Sequence, residues 1–184
     1  MNDYSEVFDK KFARQIAMMI EARLIWYQHY YPWADEIIVA LDNPPYWILE
    51  IATVKYFPKA VEIINEFVNS DPIESFDTEY ESGFVACLFL RYERGEISWA
   101  TFLTDAGCFT DSYDGEEDCS YFYNLLNLIG DSGYSKTIEE AQKVAIEEEY
   151  AIAISRVREA YNPFQQYFRQ YVSENKRDAN RTTQ

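Results

Sequence analysis

One histidine, six glycines and three cysteines in 184 residues leave few of the side chains on which familiar chemistry is built. Cys87, Cys108 and Cys119 are odd in number and show no Cys-x-x-Cys spacing, which argues against a disulfide framework and a structural zinc site. No Gly-rich phosphate loop, no His-x-x-x-His pair and no nucleophile elbow is present. His29, the single histidine, sits among Tyr27, Gln28, Tyr30 and Tyr31. It reads as the dipole-favoured C-terminal residue of a first helix, or as a member of an aromatic cluster. Cys108 follows Gly107 without a neighbouring base and reads as a buried small residue. Paired carboxylates of the glycosidase kind abound, but a small, helical, glycine-poor chain is a poor host for them. Neither an enzyme nor a cofactor is expected.

Long apolar runs are also missing. The longest, Phe84 to Leu90, falls far short of the ~20 residues that span a bilayer. Asp3 and Glu6 follow Met1 too closely for an export signal, so a cytoplasmic, reduced protein with no membrane partner is expected. No internal repeat and no low-complexity segment is visible.

Positive charge is the most unevenly distributed component. The net charge is −16. Residues 1–59 hold eight acids and six bases, and residues 136–184 hold eight of each. Residues 60–135 hold sixteen acids against Arg91 and Arg94 alone, a net of −14. Surface carboxylates do serve solubility, but a sequence tuned only for that would intersperse lysine, because charge of one sign repels itself. The segregation points instead to an electronegative face that steers a basic partner and orients it. It disfavours direct binding to nucleic-acid phosphates, which need Lys and Arg.

What is present is mostly helix, in one domain over 1–172 with a flexible polar tail at 173–184. A bundle of about seven to eight helices is expected from the apolar periodicity. Asp3-x-x-Glu6 resembles a capping box for a first helix that carries Phe12, Ile16, Met19, Ile20 and Trp26 and runs to about Tyr30. Pro32 opens a second helix, ended by Asn43-Pro44-Pro45, and Tyr46 to Val54 forms a third. After Pro58 a short helix places Val61, Ile64, Phe67 and Val68 on one stripe and Glu62 and Glu66 on the other.

Residues 84–103 fit a buried helix followed by another, in which Ile97-Ser98 starts the turn and Gly107 ends it. The alternative is an α+β arrangement with a hairpin near 84–103. Cys119 to Ile129 is amphipathic. Thr137-Ile-Glu-Glu140 matches a capping box and starts one long helix through Ile146, Tyr150, Ala153, Ile154, Val157 and Tyr161 to Asn162-Pro163. A last helix carries Phe164, Tyr167, Phe168 and Tyr171 back onto the body.

The stretch TDSYDGEEDCSYFY, residues 110–123, stands out against that background. Asp111, Asp114 and Gly115 have turn chemistry, and Glu116, Glu117 and Asp118 fall where the first turn of the 119–129 helix would begin. Carboxylates there complement the helix dipole by about 0.3 to 1 kcal/mol each, which explains one or two acids but not five. An EF-hand loop fails, since counting from Asp111 places Tyr113 third and Gly115 fifth. A less regular site from Asp111, Asp114 and Asp118 is the weaker reading, and no metal is expected. Tyrosines interleaved with acids suit an interface centre, and sixteen of them exceed what a core needs, so some should lie at the surface.

This acid-and-tyrosine stretch, with the acids of DPIESFDTEYESG, resembles the immunity proteins that neutralise bacterial nuclease toxins. The resemblance lies in general character and carries no diagnostic motif. It implies a cognate toxin with a basic cleft, capped by acids that replace substrate phosphates. The candidate contacts are Asp111, Tyr113, Asp114, Glu116, Glu117, Asp118 and Tyr121, with Glu74, Asp77, Glu79 and Glu81. Two other classes suit the same charge: an acidic chaperone or adaptor for a secreted effector, which would dimerise and use exposed apolar stripes, and a DNA-mimic inhibitor of a nucleic-acid enzyme.

Overall fold

The computed structural model describes residues 8–76, 80–112, 119–167 and 169–170. Among them there are nine α-helices and no strand. The expected all-α class holds, and the hairpin alternative does not. The chain divides into two compact units, residues 1–76 with 160–184, and residues 77–159. The polar tail expected at 173–184 lies outside the described residues.

Unit 1 contains α1 (Lys10–Glu21), α2 (Tyr27–Ala40), α3 (Tyr46–Ile51) and α4 (Phe57–Val68). The Asp3-x-x-Glu6 box falls outside the described residues; the observed N-cap of α1 is Asp9, which accepts from the Phe12 amide at 2.7 Å. Ile16, Ala17, Met19 and Ile20 are fully buried, and α1 packs most extensively on α4, whose Ala60, Ile63, Ile64 and Val68 are buried. Trp33, Trp47, Phe67 and Phe164 form the aromatic part of this core, with Trp33 5.2 Å from Phe164 and Trp47 stacked 5.9 Å from Phe67. Of the last segment, Phe164, in a 3-10 turn over Asn162–Phe164, and Tyr167 are buried, while Phe168 and Tyr171 lie outside the described residues.

Two boundaries in unit 1 differ from expectation. The first helix does not reach Tyr30. Arg23 adopts φ 58°, its amide donates to Ile20 and the Leu24 amide to Met19, and the chain turns with Leu24 and Ile25 wholly buried. Their burial outweighs a left-handed residue that costs about 1 to 2 kcal/mol. Pro32 accordingly lies inside α2 rather than at its start.

Unit 2 contains α5 (Tyr80–Glu93), α6 (Trp99–Ser112), α7 (Cys119–Asp131), α8 (Lys136–Glu149) and most of α9 (Ala151–Tyr161). α5 is apolar on every side and is buried from Gly83 to Leu90. Phe84 stacks on Phe109 at 3.7 Å, and Phe102 contacts Phe89, Trp99 and Phe122. Ser98 caps α6 as expected, accepting from the Thr101 amide at 3.1 Å.

Gly107 does not end α6. The helix runs through it, and a Cβ at that position would stand 2.9 Å from the Tyr123 ring, so the glycine sets how closely α6 approaches α7. The long helix expected from Thr137 is two helices meeting at Tyr150, and Ser135 rather than Thr137 is the N-cap residue of the first.

Candidate functional site

Of the eleven candidate contacts, seven lie outside the described residues: Tyr113, Asp114, Glu116, Glu117, Asp118, Asp77 and Glu79. Asp111 and Tyr121 are described, and they belong to the two helices that flank the acidic stretch. α6 and α7 pack closely, with the Tyr123 ring on Gly107 and its hydroxyl donating to Cys108 Sγ at 3.7 Å. That pairing brings Asp111, exposed at the end of α6, and half-buried Tyr121, near the start of α7, to the same end of the helix pair. Tyr121 leans edge-on against Phe122, which is fully buried. Tyr123 is therefore packed between the helices.

Two other candidates are placed differently. Glu81 lies in the first turn of α5 at 4% exposure, so its carboxylate does not front a protein partner in this conformation. The sequence pattern offers no warning, because an acid at a helix start usually faces water. Glu74 is exposed but belongs to unit 1, in the segment after α4. Lys10 holds that segment: its Nζ donates to the Ser70 and Pro72 carbonyls at 2.5 and 2.6 Å, and the lysine itself is buried.

The electrostatics of the acidic stretch turn on its two bases. Arg94 pairs with Glu96 at 2.8 Å, and Arg91 approaches the same carboxylate oxygen at 3.6 Å. All three side chains are largely withdrawn from solvent. Both arginines are thus engaged with an acid of their own connector. From the far end of unit 2, Arg158 pairs with Glu93 at 2.7 Å. Nearby, the Tyr92 hydroxyl donates to Glu139 at 2.6 Å, and burial followed by that bond pushes its pKa up to about 12. The Cys87 thiol is buried and pushed well above its ordinary range by desolvation, which makes it inert.

Chemistry is otherwise sparse. His29 is fully buried near the start of α2, not at a helix C-terminus; its Nδ1 accepts from the Trp26 amide at 3.2 Å and its ring meets the Trp26 indole edge-on at 4.4 Å. The aromatic-cluster reading is the one that fits. Cys108 is exposed, against the expectation of burial, at the border of the α6–α7 contact where the Tyr123 hydroxyl reaches its Sγ. Among the described residues no group of three His, Cys, Asp or Glu side chains is arranged to hold a metal ion. None of the described helices is long and apolar enough to cross a membrane.

Surface tyrosines exist, as their number required. Tyr27, Tyr31, Tyr46 and Tyr56 are exposed on unit 1, where Lys55 lies over the Tyr27 ring and Arg23 over Phe57. Sequence reasoning also missed Val144 and Ile152, both exposed. They fall out of phase with the Ile146, Tyr150, Ile154, Val157 stripe, and that phase difference was the available signal. The chain matches no family model, no curated protein and no solved structure.

Proposed function

We propose that this is a non-catalytic acidic binding protein that neutralises a basic partner, a toxin of the nuclease kind, by covering its substrate cleft. One observation supports this above others: the stretch 60–135 holds sixteen acids against two bases, and both of those lie against one acid, Arg94 at 2.8 Å and Arg91 at 3.6 Å from Glu96. A surface in that state attracts lysine and arginine over long range and accepts their hydrogen bonds at contact. Asp111 and the acids at 114–118 supply the charge, and Tyr113 and Tyr121 exclude water around it. Association is fast and weakened by salt.

The test begins with affinity capture from the native host at low salt and elution in a salt gradient. A captured basic protein is then assayed for nuclease activity with and without the chain. Inhibition is expected, and E116K/E117K/D118K is expected to weaken it by about 100-fold or more, as loss of several charge pairs would. Undiminished inhibition by that variant would place the contact elsewhere, and a captured protein without nuclease activity would remove the toxin reading.

A further inference from the structure

The five large apolar side chains that unit 2 leaves exposed among its described residues all fall between 128 and 152: Leu128, Tyr134, Ile138, Val144 and Ile152. α5 and α6 contribute none. On α8, Ile138, Ala141 and Ala145 recur at i, i+3 and i+7, all exposed, with Val144 beside them at 54% exposure. The adjoining face of the same helix buries Gln142 and Ile146, with Gln142 one turn along from Ile138. There Gln142 accepts from Trp99 Nε1 at 2.7 Å and donates to the Leu125 carbonyl at 2.9 Å, which fixes the rotation of α8. The outward stripe is therefore held outward by the core.

α9 carries the stripe onward. The Tyr150 amide donates to Ile146 and the Ile154 amide to Tyr150, each at 2.9 Å, and Ile152 follows at 71% exposure. Glu140, Glu148 and Glu149 are exposed along the same stretch. An apolar strip bordered by Glu140 and Glu149, with Glu148 one turn along from Val144 within it, is half of a helix–helix interface whose other half pairs apolar positions with lysine and arginine.

We propose that the outer face of α8 and the start of α9 docks a basic amphipathic helix of a protein partner. A second copy of this chain fits less well, because a symmetric pair would bring together two copies of a face whose helices carry six acids against four bases over 136–161. An anionic membrane surface would be repelled for the same reason. An extended peptide finds no strand edge among the described residues. The proposal uses residues other than the 111–118 acids and stands whether or not the inhibitor reading does.

The experiment measures binding of the full chain to two fluorescently labelled designed helices of about 20 residues, long enough to cover the stripe. Both carry the same leucine stripe, flanked in one by lysine and arginine and in the other by glutamate. The basic helix is expected to bind at least about tenfold more tightly than the acidic one, and to retain part of its affinity when salt shortens the Debye length to about 3 Å. V144K/I152K is expected to weaken the basic helix by about tenfold or more, and V144S/I152S by less, as charge repulsion adds to lost apolar contact. E116K/E117K/D118K is expected to leave that affinity within about threefold. The variant positions at 144 and 152 are exposed, so circular dichroism and the unfolding midpoint should not change. No saturable binding, equal binding by the two helices, indifference to both substitutions at 144 and 152, or loss in the 116–118 variant would overturn the proposal.

Discussion

All six prolines of the chain lie in unit 1 and all six glycines in unit 2. The two units nevertheless solve one problem in the same way. Between α1 and α2, and again between α5 and α6, the chain leaves a helix through a left-handed residue, and the N-cap of the next helix follows three positions later. Arg23 fills the left-handed position in unit 1 and Gly95, at φ 72°, fills it in unit 2. Matching bonds run from the Arg23 and Gly95 amides to Ile20 and Tyr92, and from the Leu24 and Glu96 amides to Met19 and Arg91. The comparison teaches that burial can enforce a backbone that local preference opposes: Leu24 and Ile25 are fully buried after Arg23, whereas Glu96 after Gly95 is held by ion pairs. Charge divides as well. Unit 1 carries fourteen acids and ten bases, and unit 2 eighteen and six.

The sharpest way to break the comparison is to remove one large core ring. Trp47→Ala should cost about 3 to 5 kcal/mol, because Trp47 is 2% exposed, stacked on Phe67 and tilted against Trp33. Gly107→Val should cost about 1 to 3 kcal/mol in unit 2 by driving a side chain into the Tyr123 ring. Urea unfolding followed at Trp99, the one tryptophan of unit 2, with Trp26, Trp33 and Trp47 replaced by phenylalanine in a reference chain, tells whether the units respond together. The one-domain expectation for 1–172 requires Trp47→Ala to shift the far-ultraviolet and the near-ultraviolet transitions of the parent chain equally. Two separated transitions would make each unit a domain.

A smaller effect should appear in alkali, in both units at once. Burial raises Tyr30 to about 12, and burial together with its bond to Glu139 raises Tyr92 to about 12, against an ordinary value near 10. Both rings keep their protons longer in the folded chain than in the unfolded one. Their contribution is therefore complete below pH 10 and lost as pH rises from about 10 to about 12. Tyr30→Phe should flatten that limb while removing the bond from Tyr30 Oη to the Val54 carbonyl at 2.7 Å. A midpoint that does not fall above pH 10 would contradict it.

The smallest effect tests the two connectors directly. Gly95→Ala should cost about 1 kcal/mol or more, since alanine disfavours φ above zero. Arg23→Gly should change stability by less than about 0.5 kcal/mol, the relief at φ being offset by greater freedom of the unfolded chain and by loss of the guanidinium over Phe57 at 4.7 Å. Equal and opposite effects at the two sites would show that backbone preference alone governs the turn.

Helical class, the amphipathic stripes of α1 and α4, the Ser98 cap and the concentration of acid in 60–135 were all determined by the sequence itself, because each depends on residues three or four apart or on composition. What tertiary structure alone decided were the exceptions to local rule. Pro32 lies within a helix, Gly107 continues one and Glu81 is buried. In each case the outcome turns on tertiary packing, as when the Tyr123 ring fills the space beside Gly107. The physical reason is that propensity and periodicity contribute about 1 kcal/mol or less per residue, while burying or excluding a large side chain contributes several.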